Sequence, residues 1–212
     1  MRSNRGRSLV LLFGLFAFAA TASGVGAASP HVVDPDSVSP ELNPLYAPYD
    51  CWAVGGGSIC QGEAQGSYGP EVFDGFDCDG ASIYISGRER QHITRWHDAD
   101  GNATKTILDS EFVDTFSLDP GLADPSVTLR SRFTKHYEYL VPGVRDSRVM
   151  RQTGASLIAK SSDGGVLARE TGWIQFAPGL EDEVWTDYRG PKDLLEDFDG
   201  FLTRMCGALI AA

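Results

Sequence analysis

Arg130, Arg132 and His136 recur at even spacing in one stretch of this chain, so an extended backbone brings all three to one face. Facing an enclosed interior, such a cationic stripe could hold an anionic headgroup. Facing water, it is a solvated face with acid partners on the next strand, and that second arrangement is the expectation. Aromatic side chains, namely Trp96, Tyr137, Tyr139, Trp173 and Trp185, could wall a pocket for an apolar ligand, although such residues fill cores just as readily. The candidate ligand-binding residues are therefore Arg130, Arg132, His136, Tyr137 and Trp173.

Metal chemistry has thinner support. Asp98-x-Asp100-Gly101-Asn102 resembles the start of a calcium loop, but calcium takes six to eight oxygens and the downstream glutamate of such a loop is missing. The same residues make a hairpin turn, in which Asp-Gly supplies a positive φ, and the turn is expected. Asp74, Asp77 and Asp79 read as a solvated acidic loop. His92, His97 and His136 have no spacing diagnostic of zinc and read as ordinary surface histidines. Serine-elbow, metalloprotease and phosphate-loop motifs are all missing. No catalytic residue and no cofactor is assigned, and the reading leans away from an enzyme.

The four cysteines, Cys51, Cys60, Cys78 and Cys206, lack a Cys-x-x-Cys pair, so they read as disulfides rather than a zinc site. Cys51–Cys60 is favoured as a clip across Gly55-Gly56-Gly57. Cys78–Cys206 then ties the start of the folded core to its end. An oxidising compartment agrees with the N-terminus. Arg2, Arg5 and Arg7 precede an apolar run from Leu9 to Ala20, and small residues follow to Ser29, the parts of a secretory signal peptide over residues 1–28. With no cysteine at the cleavage zone, no lipid anchor is expected, and none remains once the signal is cleaved. The formal net charge is -11. Removing the signal, with its three arginines and no acid, makes the remainder more acidic. An acidic surface repels phosphate backbones and anionic membranes, so nucleic acid is not expected as a partner.

The elements that must position these residues follow from periodicity. Residues 29–50 carry Pro30, Pro35, Pro40, Pro44 and Pro48 and read as an extended leader outside the core. Residues 51–79, rich in glycine and aromatics, read as irregular with one or two short strands. Residues 51–212 as a whole form one disulfide-stapled β domain. From Gly80 onward, short β runs alternate with turns at 98–102, 161–165 and 178–179. The clearest strand is 127–141, with Val127, Leu129, Phe133, Tyr137 and Tyr139 sharing one face and Arg130, Arg132 and His136 the other. A last strand is expected at 183–188. Leu194, Leu195, Phe198, Phe201, Leu202 and Met205 then predict one or two short helices broken near Gly200. The expected fold is all-β: a single antiparallel sheet curled into a barrel or sandwich, with a short C-terminal helix.

Four segments carry a resemblance: Phe76-Asp77-Cys78-Asp79-Gly80, the run from Thr94 to Asn102, the Asp163-Gly164-Gly165 hairpin, and Met205-Cys206-Gly207-Ala208-Leu209. In this order they resemble exported proteins of high-GC Gram-positive (actinobacterial) bacteria. That resemblance implies a fold and a secreted location, and no activity. The functional expectation is a secreted module binding a small apolar ligand or a cell-surface protein. The alternatives are a structural or interaction protein of the cell envelope, and a barrel-type enzyme.

Overall fold

The computed structural model describes residues 31–178 and 185–211. The expected signal peptide and the first residues of the expected last strand, Glu183 and Val184, lie outside the described residues. The rest is built on one antiparallel eight-stranded sheet in strict chain order. Its strands are β1 (Asp50–Val54), β2 (Gly57–Val72), β3 (Tyr84–His97), β4 (Ala103–Ser117), β5 (Ser126–Tyr139), β6 (Arg148–Ser161), β7 (Val166–Phe176) and β8 (Trp185–Arg189). Two helices end the chain, α1 (Asp193–Glu196) and α2 (Phe198–Ile210).

The sheet does not close, since β1 and β8 do not pair, and the barrel expectation is corrected here. Each of these edge strands has only five residues. The free edge of β1 is also already taken. His31 and Val33 bond its backbone through Ala53 N to His31 O at 2.9 Å and Val33 N to Cys51 O at 3.1 Å. The leader thus blunts an edge that would otherwise remain open.

Register assigns the faces. Arg95 pairs with Thr106, Thr106 with Tyr137, and Tyr137 with Met150, so these four side chains form one row across β3 to β6. Directly paired residues share a face and neighbours in sequence do not. The buried apolar residues of the sheet, from Cys60 and Ile93 to Val127 and Ile174, fall on this inner face. Arg130, Arg132 and His136 fall on the outer one.

Two coverings sit on the inner face. At one end α2 presents Phe201, Met205 and Leu209, spaced by four residues, to Ile83, Phe116, Val127, Ala159 and Ala168. Burying each of the three contributes about 2 kcal/mol on the usual transfer scale. The Cys78–Cys206 disulfide fixes that end. At the other end lies the leader. It carries two short 3-10 turns, Pro35–Ser37 and Pro44–Tyr46, and it is part of the core rather than outside it: Val38 and Leu42 pack with the Cys51–Cys60 disulfide, and Tyr46 packs with Ala64 and Ile93.

Two local expectations also change. Residues 57–72 form a strand, bulged between Tyr68 and Glu71, rather than irregular chain, and Gly62 in it is a close-approach residue. A Cβ on Gly62 would lie 2.4 Å from Tyr46 O and 2.9 Å from the Tyr49 ring, so the glycine seats the leader. The helix break falls at Asp197 instead of Gly200. Asp197 caps α2 by accepting a hydrogen bond from Gly200 N, and a Cβ on Gly200 would meet that carboxylate.

Candidate functional site

The sequence candidates do not converge. On the outer face, Arg132 lies directly opposite Glu111 of β4, Arg130 opposite Val113 and His136 opposite Ile107. That is a mixed-charge surface with an acid partner on the next strand. Tyr137 is on the inner face and 7% exposed. Trp173 is on the outer face, with the guanidinium carbons of Arg151 and Arg189 at 5.4 and 5.9 Å from its ring centre. Tyr137 and Trp173 are thus on opposite sides of the sheet.

The calcium-like motif is a hairpin turn. Asp98 Oδ1 accepts from Asp100 N at 3.0 Å and from Asn102 N at 2.8 Å, so the carboxylate is spent on the chain's own backbone. Asp77 serves a second turn, accepting from Gly80 N at 2.8 Å. The histidines are divided between faces: His92 and His136 lie outside, and His97 lies inside at 5% exposure, so it is not a surface histidine. Its Nδ1 is 3.3 Å from Ser58 Oγ. Burial, and then the Arg95 charge, lower its pKa from 6.5 to about 4, which keeps the ring neutral. Among the described residues, no group of three or more His, Cys, Asp or Glu could hold a metal.

A different constellation does form a site. Between the leader and the inner face of β3 to β6 lies a cleft of about 630 Å³. Leader residues Leu42 and Tyr46 form one wall, and Ile93 and Leu108 belong to the floor. Into it come Arg95 from β3, Thr106 from β4, Tyr137 and Tyr139 from β5, Arg148 from β6, and Arg145 from the turn before β6. A volume between about 300 and 1,000 Å³ suits a small ligand.

The centre of this cleft is Arg95, whose guanidinium belongs to a residue only 6% exposed. Its Nη1 donates to Pro40 O at 2.7 Å and to Glu41 O at 3.3 Å. Carbonyl oxygens orient the group but carry no charge to balance it. Among the described residues, neither Arg95 nor Arg145 makes a salt bridge. Burial depresses the Arg95 pKa first, and the nearby Arg148 and Arg145 charges add to that. The Arg148 guanidinium lies over Tyr137 at 4.9 Å and over Tyr139 at 5.9 Å. Three further atoms stand out: Arg95 Nε, Thr106 Oγ1 and Tyr139 Oη are buried with no hydrogen-bond partner among the described residues. Their residues are 6%, 3% and 8% exposed. An orphaned buried polar atom costs about 1–3 kcal/mol, so three in one cleft mark a place made for something that bonds them.

Sequence reading missed Arg95, Thr106, Arg145 and Arg148 as site residues. The one signal present was phase. Arg95 shares the spacing of two with Ile85 and Ile93, and the polar Glu89 and Gln91 share it too, which kept the signal weak. No protein-family model, curated protein or solved structure matches this chain, so the site is read from its own geometry.

Proposed function

We propose that this chain is an exported binding module whose cleft, between the leader and the inner face of the sheet, takes a small anionic ligand. The observation that carries the reading is the cluster of orphaned polar atoms around the buried, carboxylate-free Arg95. An anion would supply the missing charge and accept from those donors, which strengthens both in a desolvated place. The apolar side chains of Leu42, Ile93 and Leu108 would take the ligand's body. The sheet is read as curled over the cleft without closing. Two disulfides, and the lack among the described residues of any helix long and apolar enough to cross a membrane, support a secreted location. So does the resemblance to exported actinobacterial proteins.

A thermal-shift comparison tests this. Benzoate should raise the melting temperature of the oxidised chain, and benzyl alcohol, matched in body and uncharged, should not. A ligand at about a hundred times its dissociation constant adds about 2.7 kcal/mol to the folded state. A shift with the alcohol and none with benzoate would refute an anion site and restore the apolar carrier reading.

A further inference from the structure

The same cleft says more about the head of its ligand, in an inference that rests on the anion-site reading. We infer that the ligand is a phosphate monoester, bound as its tetrahedral dianion. Two observations carry this. The first is the number of the orphaned groups and the strands they come from. Arg95 Nε, Thr106 Oγ1 and Tyr139 Oη belong to three adjacent strands, β3, β4 and β5, and Arg145 enters from the turn between β5 and β6. A carboxylate offers two oxygens in one plane and one charge. A phosphate monoester offers three terminal oxygens pointing in three directions, one for each orphaned donor.

The second observation is charge. Arg95 and Arg145 bring two positive charges with no salt bridge among the described residues. Glu41, the one acid of the described lining, is an exposed residue that meets Arg95 through its backbone carbonyl. A dianion balances the two guanidiniums where a carboxylate or sulfate ester balances one. Arg148, whose guanidinium lies over Tyr137 and Tyr139, brings a third positive charge to the lining and favours the dianion further. His97, two residues along β3 from Arg95, is neutral above about pH 4. The ester's second proton leaves near pH 6, so the dianion is the form present in the working range.

Isothermal titration of the oxidised chain at about pH 8 compares heads on one body: phenyl phosphate, phenyl sulfate and benzoate. Phenyl phosphate should bind about tenfold or more tighter than either monoanion, the worth of one or more charged hydrogen bonds. Tyr139→Phe keeps the ring and removes one donor. It should weaken phenyl phosphate severalfold and leave benzoate within about twofold. Octyl phosphate identifies the source of the head. Tighter binding than phenyl phosphate assigns it to a lipid-like ester, and weaker binding to a soluble one, with the dianion upheld either way. Equal affinities for phenyl phosphate and benzoate would overturn the phosphate inference while the anion site stands. No binding by any of the three would overturn both.

Discussion

At the residue scale, the buried Arg95 at the centre of the cleft acts on a buried neighbour in the same strand, His97. Arg95 keeps its charge inside the fold, held by two leader carbonyls, and its field helps to keep His97 neutral. The histidine has a consequence for stability. Its folded pKa of about 4 lies below the ordinary 6.5, so between those values the unfolded chain binds a proton that the folded chain refuses. Stability therefore falls as pH drops through this window, by up to about 3 kcal/mol. Urea unfolding at several pH values should show that slope, and His97→Gln should flatten it. An unchanged slope in the variant would assign the acid sensitivity elsewhere.

Arg95→Met carries a second expectation at this scale. It removes the donor for Pro40 O and Glu41 O, so the leader loses its anchor across the cleft. A loss of about 2 kcal/mol in urea is expected, together with faster proteolysis of residues 38–46. The sequence made the wrong arginines conspicuous. Arg130 and Arg132 stand out because polar residues flank them in a regular alternation, and that alternation is the mark of an outer face. Arg95 shares its phase with Ile85 and Ile93 but also with Glu89 and Gln91, so the sequence did not set it apart.

At the element scale, the leader and β2 are one device. Gly62 lets Tyr46 and Tyr49 lie against the strand, and Tyr46 in turn donates to Gln91 Oε1 at 2.7 Å. Gly62→Val would drive a side chain into a backbone oxygen, so the leader must lift. We expect a loss of about 1–3 kcal/mol and weaker anion binding from one substitution that touches no charged group. Denaturation and benzoate titration of the same variant check both, and full retention of binding would detach the leader from the site.

Strand positions with period two were legible: β5 lies where alternation puts it. The glycine-rich β2 was not, because its defining contact is with the leader some fifteen residues earlier. The helix break was misplaced for a related reason. Gly200 looks like a breaker in sequence, yet it serves as the place where the Asp197 carboxylate folds back to cap α2.

At the scale of the whole molecule, the open sheet is held at its two ends by different means. The Cys78–Cys206 bond closes a separation of 128 residues and fastens α2, and Cys51–Cys60 closes one of 9 beside the leader. Chain entropy makes the long loop worth about 5 kcal/mol and the short one about half of that, as upper values. Cys78→Ala with Cys206→Ala should therefore cost more in urea than Cys51→Ala with Cys60→Ala. It should also release helical signal in circular dichroism before the sheet melts. The reverse order would mean that the helix end is held mainly by Phe201, Met205 and Leu209. Both pairings were legible from spacing. Lack of closure was not, because period and composition place strands without saying whether the first and the last of them pair.

The central claim is that an anion binds on the inner face, under the leader, and not on the outer cationic stripe. Titration of phenyl phosphate into three proteins, the native chain, Arg145→Ala and Arg132→Ala, tests it most directly. Arg145 is an exposed turn residue, so its loss should leave the fold intact. The account predicts binding that weakens about tenfold in Arg145→Ala and stays within about twofold of native in Arg132→Ala. Binding retained in Arg145→Ala and lost in Arg132→Ala would contradict it and move the site to the outer face.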